Sequence, residues 1–135
     1  MKTAASMQKI IIAITEKHAL DLNAIESYLR LEQPSLTPLV IEKIGKHLVS
    51  VAHYYKQNGD MMADPDIVFF TGYREWVPIQ ITQAHLGFTN AAELSPDGTT
   101  IKSFKPQAQA ELADFCIVWA NNLHAQNWLD AKIVI

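Results

Sequence analysis

The run HLVSVAHYYKQNGDMMADPDIVFF, residues 47–70, decides how the fold is read. Its first part alternates: Val49, Val51, His53 and Tyr55 fall on one side of an extended chain, and Leu48, Ser50, Ala52 and Tyr54 on the other. Its last part, Asp66 to Phe70, is a β-branched and aromatic run of the kind that forms a strand. Between them, residues 53–66 crowd His53 and three aspartates into a connection. Asn58-Gly59 supports a left-handed backbone turn, Asp60 can accept hydrogen bonds from nearby N–H groups, and Asp64 stands before Pro65, where extended geometry is favoured. The stretch predicts two neighbouring antiparallel strands closed by an acidic connection whose carboxyl groups lie at the surface.

Working outward, LVIEKI at residues 39–44 predicts a preceding strand, with Gly45-Lys46 as the turn between the two. Downstream, TGYRE is a turn and WVPIQIT a further strand with Val77, Ile79 and Ile81 on one face. Pro78 has no N–H for a ladder, so an edge position or a bulge is required there. HLGFTNAAEL, the SPDGT turn and TIKSF predict one more hairpin.

Ala4, Met7, Ile11, Ile14 and His18 recur at spacings of three and four, which predicts a helix over about residues 3–17. Asp21 or Asn23 can cap a second helix that carries Ile25, Tyr28 and Leu29 on one side and stops at Pro34. Pro106 suits the first turn of a long final helix with Leu112, Phe115, Cys116, Trp119 and Leu123 as its apolar stripe. The tail WLDAKIVI, residues 128–135, is too apolar to be left free and is expected to pack down on its own domain or on a partner. With 135 residues and a hydrophobic share of 49%, the chain is long enough for one core and short for two. The expectation is a single α+β domain over residues 1–135. It would hold an antiparallel meander of about four to five strands, packed by two N-terminal helices and one long C-terminal helix.

Composition narrows the function classes. Eleven basic and fourteen acidic residues give a net charge of -3, and the lysines are scattered singly, so generic nucleic-acid binding is not expected. Cys116 is the only cysteine, which rules out an intrachain disulfide and a multi-cysteine zinc site and fits a reducing cytoplasm. The apolar run IIIAI at residues 10–14 is too short for a leader core or a membrane span. Ser50 and Ser103 lack a nucleophile-elbow context, and no Gly-rich phosphate loop occurs.

The string VSVAHYYKQNGDMMADPDIVFF, followed by Trp76 and Pro78 and by HLGF at residues 85–88, resembles a bacterial domain family of unknown function found in phage, plasmid and conjugative-element proteins. The resemblance covers about residues 39–90 and rests on the order of His53, Tyr54, Asn58, Gly59, Asp60, Asp64, Pro65 and Asp66. It implies descent from a mobile element and an α+β domain, and it brings no activity with it.

Two functional readings remain. In the first, the protein is a non-enzymatic module that binds another macromolecule, a protein partner or a second copy, through His53, Tyr54, Asn58, Asp60, Asp64, Asp66 and Trp76. Tyr55, Met61, Met62 and Tyr73 would add adaptable contact area. In the second, Asp60, Asp64 and Asp66 converge on a divalent cation, with His53 as a nitrogen ligand or base of a metal-dependent hydrolase or nuclease-like enzyme. The aspartate spacing lacks the order of the calcium-binding helix–loop–helix motif, so binding is favoured over catalysis and no cofactor is expected.

Overall fold

The structure, a computed structural model, describes residues 1–133. It is an α+β fold in which strands follow one another as near neighbours. Helix α1 (Ala5–Lys17) leads into strands β1 (Tyr28–Glu32), β2 (Leu39–Gly45), β3 (Leu48–Gln57), β4 (Asp60–Phe70), β5 (Val77–Gln83) and β6 (Gly87–Asn90). A short pair, β7 (Ala92–Leu94) and β8 (Ile101–Phe104), precedes helix α2 (Pro106–Ala125), a 3₁₀ turn (Trp128–Asp130) and a last strand, β9 (Lys132–Ile133). The main sheet has seven antiparallel strands in the order β6-β5-β4-β3-β2-β1-β9, and β7 and β8 form a separate two-stranded ribbon.

The alternation read in residues 47–55 sets the two faces. Val49 and Val51 join Leu29, Leu31, Leu39, Ile41, Ile67 and Phe69 in the main core beneath the helices. Helix α1 contributes Met7, Ile11 and Ile14, at the spacing that places one stripe inward, and α2 contributes Leu112, Cys116, Trp119 and Leu123. On the opposite face a second, smaller cluster of Val68, Phe70, Val77, Ile79 and Ala92 is closed by Leu48 and by Leu94 and Ile101 of the ribbon. Burial pushes the Cys116 thiol up to about 12, so it stays protonated and inert.

Two of the six prolines, Pro65 and Pro78, fall where a ladder of the main sheet shifts register. Between β4 and β5, Phe69 pairs with Pro78 and Val68 with Gln80, so Ile79 is the extra residue of a bulge. The requirement at Pro78 is thus met by a bulge inside the sheet, since β5 pairs on both sides. Between β3 and β4, Ala52 pairs with Asp66 and Tyr54 with Ala63, leaving Asp64 and Pro65, joined by a cis peptide bond, opposite His53. The buried amide of Gln109 fastens the chain's beginning to this frame: it accepts from the Lys2 N–H at 2.8 Å and donates to the carbonyls of Lys2 at 2.7 Å and Pro78 at 3.3 Å.

Four expectations are corrected. The bulge in β5 turns Ile81 toward the main core while Val77 and Ile79 join the second cluster, so the three do not share one face. The segment expected to form a second N-terminal helix is a series of turns followed by β1. Asp21 does accept from the Asn23 N–H, but that caps only a turn, and Glu26 has a φ of 60°. Leu29 and Leu31 then alternate inward while Tyr28 and Glu32 point to solvent, a period of two that the apolar count at helical spacing obscured. The sheet is larger than four to five strands, because β1 and β9 extend it on one side and β6 on the other. The first hairpin turn sits at Lys46-His47, one residue later than Gly45-Lys46, with Gly45 still paired to Leu48. Trp128 and Ala131 are buried, whereas Lys132 and Ile133 pair with β1 but keep exposed side chains, so the apolar tail is packed down only in part; residues 134–135 lie outside the described residues.

Candidate functional site

Sequence attention to residues 53–66 leads to a β-arm and to the cleft at its root. Strand β2 follows β3 only as far as the Leu39–His53 pair, after which the Tyr54 N–H donates to the Pro38 carbonyl at 3.2 Å. On the other side, β5 follows β4 only to the Asp66–Thr82 pair. Tyr55, Lys56 and Gln57 therefore pair with Met62, Met61 and Asp60 alone, and the hairpin runs on past its neighbours by about 10 Å, the rise of three extended residues. Asn58 and Gly59, with φ values of 53° and 85°, close it in the left-handed conformation that a two-residue hairpin turn demands. Residues 56–61 are all exposed, as expected of a ribbon with water on both faces. Met61 is half exposed.

The arm's root is held by polar contacts on both faces of the sheet. On the helix side, the His53 imidazole lies between the indoles of Trp119 and Trp128, each ring centroid 5.6 Å away. Its Nδ1 is 3.1 Å from the Thr37 carbonyl oxygen and 3.3 Å from that of Pro38. Carbonyl oxygens only accept, so Nδ1 carries the proton and Nε2 keeps the lone pair. Burial lowers the His53 pKa from its usual value, against the opposing pull of those two carbonyls and of the Asp64 carboxylate. The ring is a neutral acceptor at physiological pH. Together with Leu36, Thr37, Asp64, Gln126 and Trp128 it lines a cleft of about 180 Å³.

On the other side of the sheet, Asp66 accepts a 2.6 Å hydrogen bond from the buried hydroxyl of Ser50, and the Tyr54 hydroxyl approaches its second oxygen at 3.5 Å. Tyr54 pairs across the strands with Ala63, whereas Asp66 pairs with Ala52, so the tyrosine leans back over the small Ala52 to reach it. Burial first, and then the Asp66 carboxylate, pushes the Tyr54 hydroxyl up to about 12. This cluster holds the arm's root by a charge-assisted bond.

The expected site residues are thereby sorted. His53 and Asp64 share the cleft; Tyr54 and Asp66 share the opposite face; Asn58 and Asp60 stand at the arm's end. The three aspartates do not converge, and no group of three ligating side chains occurs among the described residues, so the alternative reading of a cation held by Asp60, Asp64 and Asp66 finds no support in this geometry. Strand alternation and the bulge at Pro65 carry the carboxylates to different faces. Trp76 also leaves the site: it is 6% exposed, packs on Phe69 with centroids 5.7 Å apart, and donates its N–H to the Gln8 side chain at 2.9 Å. Tyr73 is structural as well, its ring against Phe70 and its hydroxyl accepting from the Ile101 N–H at 2.9 Å. Sequence reading missed Thr37, Gln126 and Trp128 as neighbours of His53; the apolar tail was the only signal for Trp128. A wider depression of about 600 Å³, edged by Ile25, Glu26, Lys43 and Lys46, lies at the other end of β3 and includes none of the expected residues.

Comparison with known proteins agrees with the part of the resemblance that concerns family. The chain belongs to the family described as a domain of unknown function, DUF6908, whose model matches residues 7–129 and so reaches well beyond the 39–90 stretch. No curated protein matches the chain. No solved structure matches it either. Among the described residues no helix is long and apolar enough to cross a membrane.

Proposed function

We propose that the protein is a non-enzymatic binding module whose recognition element is the β3–β4 arm. The observation that carries this reading is the arm's projection beyond both neighbouring strands, which leaves its outer N–H and C=O groups without strand partners. Such edges pair readily with an extended segment of another chain, and the exposed Met61 supplies adaptable apolar contact beside them. A protein partner or a second copy of the chain fits this surface, and the net charge of -3 gives no support to generic nucleic-acid binding. On the resemblance of residues 39–90 we also infer mobile-element descent, and on the single buried Cys116 a reducing cytoplasm.

The test removes the arm and keeps its turn. Deleting Lys56, Gln57, Asp60 and Met61 joins Tyr55 to Met62 through Asn58-Gly59 and preserves the pairing of Tyr55 with Met62. Affinity capture from the native host with both chains should recover a partner with the full-length protein and lose it with the shortened one, at unchanged melting temperature. A partner retained by the shortened chain would place recognition elsewhere.

A further inference from the structure

We infer that the cleft at the arm's root, between His53 and Asp64, is a receptor for a primary ammonium group, either a lysine side chain or a chain N-terminus. This deepens the binding reading above, on which it rests for supposing that the group belongs to a partner. The cleft, at about 180 Å³, is too small for an extended ligand and suits the end of one side chain. Its ionisable lining consists of acceptors. With Nδ1 committed to the carbonyls of Thr37 and Pro38, the His53 ring has Nε2 as its lone-pair atom, and the Asp64 side chain is exposed and has no hydrogen-bond partner among the described residues. An ammonium carries three donors and no acceptor, the complement of these two groups; the Thr37 hydroxyl and the Gln126 amide, whose oxygen already accepts from the Trp128 indole N–H at 3.0 Å, line the same cleft. Leu36 and Trp128 form apolar walls against which the methylene stem of the ligand can lie. A divalent metal asks for more ligands than this pair, and the described residues contain no group of three that could supply them.

The inference is tested on the free, full-length protein with three small probes: Nα-acetyl-lysine methylamide for the side-chain ammonium, glycine methylamide for the terminal ammonium, and Nα-acetyl-norleucine methylamide as the uncharged isostere. Nuclear magnetic resonance of the His53 ring protons and tryptophan fluorescence report binding. At least one ammonium probe should saturate with a dissociation constant on the order of millimolar, as befits a ligand of so few atoms. Asp64→Asn should weaken it about tenfold, in line with the loss of one charge-assisted hydrogen bond, while Glu93→Gln, on the ribbon that covers the opposite face of the sheet, leaves it unchanged. The ratio between the two ammonium probes identifies the source. Flat titrations, equal binding of the norleucine compound, or Asp64→Asn behaving like wild type would each overturn the inference. Because no macromolecular partner is needed, these outcomes are independent of the arm-deletion result.

Discussion

The imidazole Nδ1 of His53 lies 3.1 Å from the backbone carbonyl oxygen of Thr37, which ties the arm's root to the connection between β1 and β2. The same ring is packed by Trp119 of α2 and Trp128 of the 3₁₀ turn, so four separate stretches of chain meet on one titratable side chain.

That arrangement predicts a pH dependence of stability. The folded-state pKa of His53 is lowered, mainly by burial, so the unfolded chain takes up a proton at this residue more readily than the folded one. Stability is then full above the ordinary value of 6.5 and is lost as pH falls through 6.5 toward the folded value. The groups facing the ring moderate the loss, since Asp64 and the carbonyls of Thr37 and Pro38 favour the cation while the two indoles only desolvate it. Urea unfolding between pH 7.5 and 5.5 should show a declining midpoint for wild type and a shallower decline for His53→Gln. Equal slopes would mean that the ring is as well solvated as in the unfolded chain.

Ser50 and Tyr54 both address Asp66, and the distances predict unequal contributions. The Ser50 contact, at 2.6 Å and buried, is a charge-assisted bond; the Tyr54 approach, at 3.5 Å, is at the limit of one. Ser50→Ala should lower stability by about 1–3 kcal/mol, because it leaves a partly buried carboxylate short of a donor. Tyr54→Phe should change it by less than about 0.5 kcal/mol, as for a change that removes no well-formed interaction. Chemical denaturation of the two variants and their double measures the difference, and a larger loss for Tyr54→Phe would show the contact to be tighter than this geometry.

Gly59 and Trp76 predict opposite kinds of damage. At Gly59 a Cβ would meet nothing within 4 Å, so only the φ of 85° opposes a side chain, and Gly59→Ala should lower stability by about 1–2 kcal/mol without disturbing the core. Trp76→Ala empties a site in the main core and should lower stability by about 3–5 kcal/mol. Loss of partner binding in Trp76→Ala would therefore follow from unfolding, which thermal melts monitored alongside capture can separate from a true contact.

How much of this was legible in the sequence depends on range. The helices at Ala5–Lys17 and Pro106–Ala125, the alternation from Leu48 to His53, the Asn58-Gly59 turn and the bulge at Pro78 all follow from local chemistry: periodicity, a missing N–H and left-handed φ values. Residues 21–34 misled because Asp21 does bind a backbone N–H, as a helix cap would, while the decisive alternation of Leu29 and Leu31 spans only five residues. The separation of the aspartates escaped notice because nothing local shows that Pro65 adds a residue to β4 and so carries Asp64 to the face opposite Asp66. The meeting of His53 with Trp119 and Trp128 depends on where α2 lands on the sheet, which only tertiary packing decides.

The strand order has a kinetic consequence. From β1 to β6 every ladder joins sequence neighbours, so the meander can zip up hairpin by hairpin with little loop-closure entropy at each step. The β1–β9 ladder is different, for Leu31 and Ile133 come from opposite ends of the chain. That separation predicts a latch that engages late, and trimming the chain after Ala131 should speed unlatching of Trp128 while the zipper of the first six strands still forms.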